Sequence, residues 1–182
     1  MRGLAVWLVV ACAGCGGRAA PKQPVPVVQS ELDQAEAAER MRRHDIAREH
    51  YERAVASARD PQSVGIANRE FAETLATWGE YDQSIAHYER AVAATPGDPQ
   101  AWNDLGLVRF KVGNVAGAVT ALERARGLAP GDFRPRRNLA AALWASGDKA
   151  RAAAEYRAML ELDLPGPLRK KVEWALEQLA KP

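Results

Sequence analysis

Three glycines recur at a fixed interval of 34 residues, and this interval limits the fold more than any other feature of the chain. They are Gly79, Gly113 and Gly147, and each is followed by Glu, Asn or Asp. The same step separates Pro96 from Pro130. A repeat of this length is typical of stacked helix–turn–helix units, because each unit buries its apolar faces against its neighbours. The sequence therefore predicts an all-α superhelix, an α-solenoid.

Side-chain size within the repeat follows the packing that such units need. Counted from the first residue of each unit, positions 8, 20 and 27 are small in nearly every unit, with Met159 the exception, and position 24 is large. Two helices approach to about 8–10 Å only where the side chains between them are small. The glycine at position 15 suits a left-handed residue after the first helix, and the proline at position 32 stops the second helix. Asp98 and Asp132 are candidate N-caps of the helices that follow them.

The spacing of these residues resembles the tetratricopeptide repeat, down to the segment Ala-Trp-Asn-Asp-Leu-Gly at 101–106. Position 4 of that unit is Trp, position 7 is Leu and position 8 is Gly, as in the family. The units that follow the pattern span 65–98, 99–132 and 133–166. The resemblance implies a superhelix of three to four helix–turn–helix repeats.

Both ends of the repeat region depart from this pattern. A degenerate first repeat is predicted at 30–64, where Arg42 stands at the position of the turn glycine and three extra residues precede the next unit. Residues 167–182 follow a Pro-Gly-Pro break and carry leucines and a valine at helical spacing. They predict a C-terminal capping helix, with Trp174 covering the last repeat.

Residues 1–15 are typical of a bacterial lipoprotein signal peptide. A basic start precedes a short apolar run and two cysteines, Cys12 and Cys15, that follow small residues. The run is too short to span a bilayer, which takes about 20 residues. The motif resembles a lipobox, which implies that Cys12, or alternatively Cys15, carries diacylglyceryl and palmitate-type acyl chains. An uncleaved apolar start, or a redox or zinc pair of the two cysteines, remains the rival interpretation.

Residues 16–29 contain three prolines and two glycines, which predict an extended linker between the lipid and the repeats. Neither cysteine is followed by Asp. In lipoproteins of enterobacterial type, this resembles sorting to the outer membrane. We therefore expect a lipid-anchored protein at the periplasmic face of the outer membrane.

The residues offer no catalytic constellation. The three histidines, His44, His50 and His87, are expected at the surface, and His50 and His87 share position 23 of their units. No zinc-protease motif, serine triad or phosphate-binding glycine loop is present. The net charge of +2 gives no strong attraction to nucleic acid. We expect no enzyme activity, cofactor, metal or small-molecule substrate.

The resemblance implies that the first helix of each unit lines a concave, partner-binding groove. Phe110 and Trp144 would then be aromatic anchors among arginines, a combination that binding hot spots favour; alternatively, they pack between repeats. The predicted groove residues are Arg69, Asn103, Leu107, Phe110, Lys111, Arg134, Arg137 and Trp144. A helix or extended segment with apolar and acidic residues would fit them.

One known use of such a groove, the clamp for the acidic C-terminal tails of chaperones, does not match. Arg69 and Arg134 would suit it, but Glu73, Asp104 and Asn138 stand where the clamp needs other residues. The carboxylates of Glu73 and Asp104 would repel an acidic tail.

The expected function is therefore a membrane-anchored adaptor that mediates protein–protein interactions in the bacterial cell envelope. The architecture resembles repeat lipoproteins that help to assemble a pilus or a secretion complex. Two alternatives remain open: a non-catalytic carbohydrate or cell-wall binding subunit, and a cytosolic adaptor without lipidation.

Overall fold

The computed structural model describes residues 27–181, which form nine helices and no strand. The predicted signal peptide, with Cys12 and Cys15, and most of the predicted linker lie outside the described residues. The helices are α1 (Val27–Arg40), α2 (His44–Ser57), α3 (Pro61–Trp78), α4 (Tyr81–Ala94), α5 (Pro99–Lys111), α6 (Val115–Leu128), α7 (Phe133–Ala145), α8 (Lys149–Leu160) and α9 (Gly166–Leu179). The prediction of an all-α solenoid is confirmed.

The helices pack in pairs, and the pairs pack in a row. The pairs are α1 with α2, α3 with α4, α5 with α6, and α7 with α8. The first helices also contact one another, α1 with α3, α3 with α5, and α5 with α7, whereas the second helices of the described pairs do not. The inner layer is therefore the tighter one, and the stack curves with its first helices on the concave side.

A left-handed residue closes the turn inside every pair. Gly79, Gly113 and Gly147 have φ of 85°, 83° and 85°. Arg42 takes the same place in the first pair with φ of 56°, the one positive value for a non-glycine residue in the described region. A side chain in this conformation costs roughly 1–2 kcal/mol, so the degenerate repeat keeps the turn at an energetic cost.

Short polar side chains begin most of the helices after the first two. Each accepts a hydrogen bond from a backbone N–H of the first helical turn, a contact worth about 1 kcal/mol. These N-caps are Asp60, Asp98, Asn114, Asp132 and Asp148. Asp98 and Asp132 were predicted as caps, and the structure confirms both.

The start of α3 differs from the repeat boundary at residue 65. Asp60 and Ser63 form a reciprocal capping box, and Pro61 occupies the first turn. The helix therefore begins at Pro61 and has 18 residues. The three extra residues that precede the regular unit extend α3 by about one turn instead of forming a loop.

The core is divided into three clusters along the stack. The first cluster is formed by residues of α1, α2 and α3, the second by residues of α3 to α6, and the third by residues of α6 to α9. The small residues predicted at the helix contacts are fully buried, among them Ala72, Ala118 and Ala140. Each cluster is formed by helices that are close in sequence, as expected for a solenoid.

The last helix, α9, packs on α8. Val172, Ala175 and Leu179 are its buried residues. The prediction that Trp174 covers the last repeat is wrong, because its side chain is 58% exposed. Trp174 lies one residue before Ala175 and thus falls beside the apolar stripe, not within it. No helix in residues 27–181 is long and apolar enough to cross a membrane.

Candidate binding groove

The concave face holds a pocket of about 470 Å³ between α3 and α5. Most of its lining comes from one face of these two helices, and Tyr81 and Tyr88 of α4 complete it. The lining residues are Glu73, Ala76, Thr77, Tyr81, Tyr88, Gln100, Asp104, Leu107, Val108 and Lys111. Leu107 and Lys111 of the predicted groove are brought together here.

Tyr88 contributes a hydroxyl that the protein itself does not use. Its side chain is only 2% exposed, and its hydroxyl makes no hydrogen bond to another described residue. The equivalent Tyr51, one repeat earlier, accepts a hydrogen bond of 2.9 Å from Thr74. Burial raises the pKa of Tyr88 far above its usual value, and the charges of Asp104 and Glu73 raise it further. Tyr88 is therefore a neutral phenol in the wall of the pocket.

Two carboxylates, Glu73 and Asp104, line the same pocket. Neither forms a salt bridge with a residue that the structure describes. Burial raises the pKa of Asp104, although the side-chain amide of Asn103 donates to its carboxylate at 2.9 Å. The charge of Arg69 opposes this rise without cancelling it.

A second pocket of about 320 Å³ adjoins the first between α1 and α3, and the two share Glu73 and Thr77. Three further acids line it, Glu36, Glu39 and Glu70. Burial raises the pKa of Glu70 as well. The part of the groove formed by α1, α3 and α5 is therefore acidic.

Sequence reasoning missed this acidic character. It named Glu73 and Asp104 only as residues that disfavour an acidic tail. The signal was nevertheless present, because both residues occupy groove-facing positions of consecutive repeats.

Two predicted groove residues are already engaged within the protein. The guanidinium of Arg69 lies 2.6 Å from Glu70 and 3.9 Å from Asp98, and its side chain is 18% exposed. The amide oxygen of Asn103 accepts a hydrogen bond of 2.8 Å from Asn138. The second contact joins α5 to α7.

The predicted basic residues of α7 lie at the other end of the groove. Arg137 is exposed, and its guanidinium makes one long hydrogen bond of 3.4 Å to Asn138. Arg134 is also exposed but is paired at 2.6 Å with Asp132, the N-cap of its own helix. Neither lines the pocket between α3 and α5.

Phe110 and Trp144 are half-buried and pack against the core cluster between α6 and α9. This is the arrangement expected of residues that fill the space between repeats. The predicted anchors are therefore at least in part structural residues.

The histidines at position 23 are not surface residues, and this expectation was wrong. The Nδ1 atom of His50 lies 2.7 Å from the carboxylate of Glu31, and that of His87 lies 2.8 Å from the amide oxygen of Asn68. Each pair joins the two helices of one repeat. Burial lowers the pKa of His87 to about 4, so its ring is neutral at pH 7. The residue therefore has a structural role instead of the expected surface position.

No group of three or more potential metal ligands occurs within the described part of the chain. The groove offers hydroxyl, amide, carboxylate and ammonium groups, all of which can bind a ligand.

Family models and solved structures agree with this architecture. Models of the tetratricopeptide repeat match residues 27–96, 69–133 and 103–167. None of the curated proteins matches this chain.

Two kinds of solved structure are similar to it in fold. The crystal structure of MamA superposes with a TM-score of 0.65 at 21% identity, covering 74% of this chain and 77% of that one. MamA 41-end from Desulfovibrio magneticus RS-1 gives 0.68 at 18% identity, covering 84% and 83%. The first TPR of Spaghetti (RPAP3), bound to the HSP90 peptide SRMEEVD, gives 0.60 at 21% identity, covering 67% and 97%.

At these identities the solved structures establish the fold alone. The family models cover more than half of the chain, and together their matches span α1 to α8. The chain belongs to the tetratricopeptide-repeat family.

Proposed function

We propose that this protein is a lipid-anchored adaptor of the bacterial cell envelope that holds a segment of a partner protein in its concave groove. Cys12, or alternatively Cys15, would carry the lipid, and residues 16–29 would separate the repeats from the membrane. Assembly of a pilus or secretion complex is the role we favour, on the analogy of architecture alone.

The observation that carries the proposal is the groove itself. The concave face offers two adjoining pockets, of about 470 and 320 Å³, on rigid helices. Leu107, an apolar side chain that is 40% exposed, lies in the larger one. A groove that is built before the partner arrives loses little conformational entropy on binding.

The similar structures support a protein partner in a limited way. The RPAP3 domains are solved with HSP90 and HSP70 peptides, SRMEEVD and SGPTIEEVD. Those peptides are acidic at their C-terminal ends, whereas this groove presents Glu73 and Asp104. We therefore propose a protein segment as the ligand class, but not an acidic chaperone tail.

Lipidation can be tested by incorporation of labelled palmitate in the bacterial host. We expect label in the natural protein and in only one of the variants Cys12→Ala and Cys15→Ala. Several acyl chains, at about 0.8 kcal/mol per buried CH₂, make such an anchor effectively permanent. Label in both variants, or in neither the natural protein nor the variants, contradicts a single lipidated cysteine.

Partner binding can be tested by photo-crosslinking in intact cells. A photoreactive amino acid replaces Leu107 on the concave face or, as a control, the exposed Glu52 on α2. We expect a discrete crosslinked protein from position 107 and none from position 52. If position 107 captures nothing above the control, the groove is not the binding site.

The basic residues of α7 give a second test of the same proposal. Because Trp144 packs against the core, the change Arg137→Glu is cleaner than a change at Trp144. We expect it to lower the crosslinking yield at position 107 by about tenfold, the effect of one reversed rim charge and its lost contact. Helical circular dichroism should stay unchanged, and an unchanged yield would exclude Arg137 from the interface.

A further inference from the structure

We infer that the pocket between α3 and α5 receives a lysine or arginine side chain of the partner segment. The inference rests on the proposed function and specifies the chemistry of the partner, which would place cationic residues opposite α3 and α5. The peptides in the RPAP3 complexes are acidic instead.

The first argument is the hydroxyl of Tyr88. Its side chain is almost fully buried, yet it lines the pocket and has no hydrogen-bond partner among the described residues. The hydroxyl oxygen is not among the fully buried atoms that lack a partner, so it faces the open space of the pocket. A ligand that donates a hydrogen bond into the pocket can be accepted by this oxygen, and both lysine and arginine side chains carry only donors.

The second argument is charge. Glu73 and Asp104 line the same pocket without a salt bridge to a described residue, and burial raises the pKa of Asp104. A cation placed between them would compensate both carboxylates at once. The neighbouring pocket adds Glu36, Glu39 and Glu70, of which Glu36 pairs with Arg40 and Glu70 with Arg69. The unpaired carboxylates of Glu73 and Asp104 therefore carry the argument.

The third argument is that the local cations are committed elsewhere. Arg69 is held by Glu70 and Asp98. The ammonium of Lys111 lies 5.1 Å from the ring centroid of Tyr81, in a cation–π contact at the edge of the pocket. Lys111 forms no salt bridge with Glu73 or Asp104, so it leaves the carboxylates open to a ligand.

The walls suit the rest of such a side chain. Ala76, Leu107 and Val108 supply apolar surface beside the carboxylates. The aliphatic stem of a lysine or arginine covers apolar surface of this kind while its charged head reaches polar groups. A small inorganic cation would leave these walls without a contact.

The test measures binding of labelled peptides to the natural protein by fluorescence anisotropy. The probes are Ac-GLKALKAG-NH₂, its glutamate counterpart Ac-GLEALEAG-NH₂, and SRMEEVD. We expect saturable binding of the lysine peptide alone, weakened by added salt. Equal binding of the lysine and glutamate peptides, or no binding of the lysine peptide at millimolar protein, overturns the inference.

Variants then locate the site. Glu73→Gln and Asp104→Asn should each weaken binding of the lysine peptide by about tenfold, since each removes one charge partner. Tyr88→Phe should weaken it by about threefold without lowering the thermal midpoint. Glu52→Gln on α2 is the matched control and should change nothing.

One further variant guards against losses caused by misfolding. Lys111→Ala removes the resident cation, so it should strengthen binding of the lysine peptide. Unchanged binding in Glu73→Gln and Asp104→Asn overturns the inference even if position 107 still crosslinks a partner, and in that case the proposed function stands. Absence of any crosslink at position 107 contradicts the proposed function instead.

Discussion

A polar pair joins the two helices of three repeats at the same sequence separation of 19 residues. The pairs are Glu31 with His50, Asn68 with His87, and Arg136 with Glu155. The residue types differ, but each pair places a donor opposite an acceptor at the inner edge of a helix pair. Because buried polar groups need partners, a substitution of one member of a pair requires a matching substitution of the other.

His87 gives this pair a measurable pH dependence. The unfolded histidine takes up a proton near its ordinary value of 6.5, whereas the folded one does so only at about 4. The unfolded state therefore binds more protons between these values, and stability falls as the pH falls through that window. We expect a loss of up to about 2 kcal/mol, since the ring is half-buried.

The measurement is the thermal midpoint between pH 7 and pH 4, compared with that of His87→Leu. Carboxylates also titrate in this range, so only the difference in thermal midpoint between the natural protein and His87→Leu reports on His87. The natural protein should lose more stability than the variant. Parallel curves would contradict the low pKa of His87.

Arg42 predicts a stabilising substitution. It holds a left-handed conformation with φ of 56° that glycine holds in the other three pairs. Arg42→Gly should raise the free energy of unfolding by about 0.5–1 kcal/mol, because the relief of strain exceeds the entropy that glycine adds to the unfolded chain. The thermal midpoint measures this gain.

The neighbouring Arg43 is the control for this substitution. Its φ is −96°, so Arg43→Gly relieves no strain and should lower stability slightly. Equal effects of the two substitutions would show that the turn conformation is not the cause.

At the scale of helices, α5 and α6 approach each other closely at Gly106. A Cβ atom added to Gly106 would lie 2.6 Å from Cγ of Leu122, whose side chain is fully buried. Helix propensity alone would favour alanine at this position by about 1 kcal/mol. The steric clash with Leu122 outweighs this preference, because a closely packed core resists displacement of its side chains.

Gly106→Ala should therefore destabilise the protein by about 1–3 kcal/mol. Gly127, in α6, has nothing within 4 Å of its added Cβ, so Gly127→Ala should stabilise by a few tenths to about 1 kcal/mol. Chemical denaturation of both variants measures the two effects. The same sign in both would contradict the close contact.

Helix positions were the most predictable feature of this chain, since period and side-chain size both derive from nearest-neighbour packing. The extra turn of α3 was not predicted, because it depends on a capping box between Asp60 and Ser63 that falls outside the repeat. The charge of the groove was less predictable still. It results from side chains on α3 and α5 that meet only after the helices are stacked.

At the scale of the whole molecule, the described core consists of three clusters in series rather than one. Such a stack unfolds in local units whose stabilities differ. Leu143→Ala, in the cluster between α6 and α9, should accelerate amide hydrogen exchange in α7, α8 and α9 and leave α1 and α2 unchanged.

Leu32→Ala, in the cluster between α1 and α3, should give the reverse pattern. Mass spectrometry of peptide fragments would measure both under conditions that favour the folded state. Uniform acceleration along the chain in either variant would instead indicate a single cooperative globule.

Each helix pair contacts only the next pair in the described stack. The contacts run between first helices, α1 to α3, α3 to α5 and α5 to α7, and from each second helix to the next first helix, α2 to α3, α4 to α5 and α6 to α7. Mechanically, these junctions are springs in series, so the compliance of the ribbon is the sum of their compliances. A tension applied across its two ends would be shared as a small opening at every junction. We therefore expect the ribbon to lengthen slightly under tension while its helices stay folded.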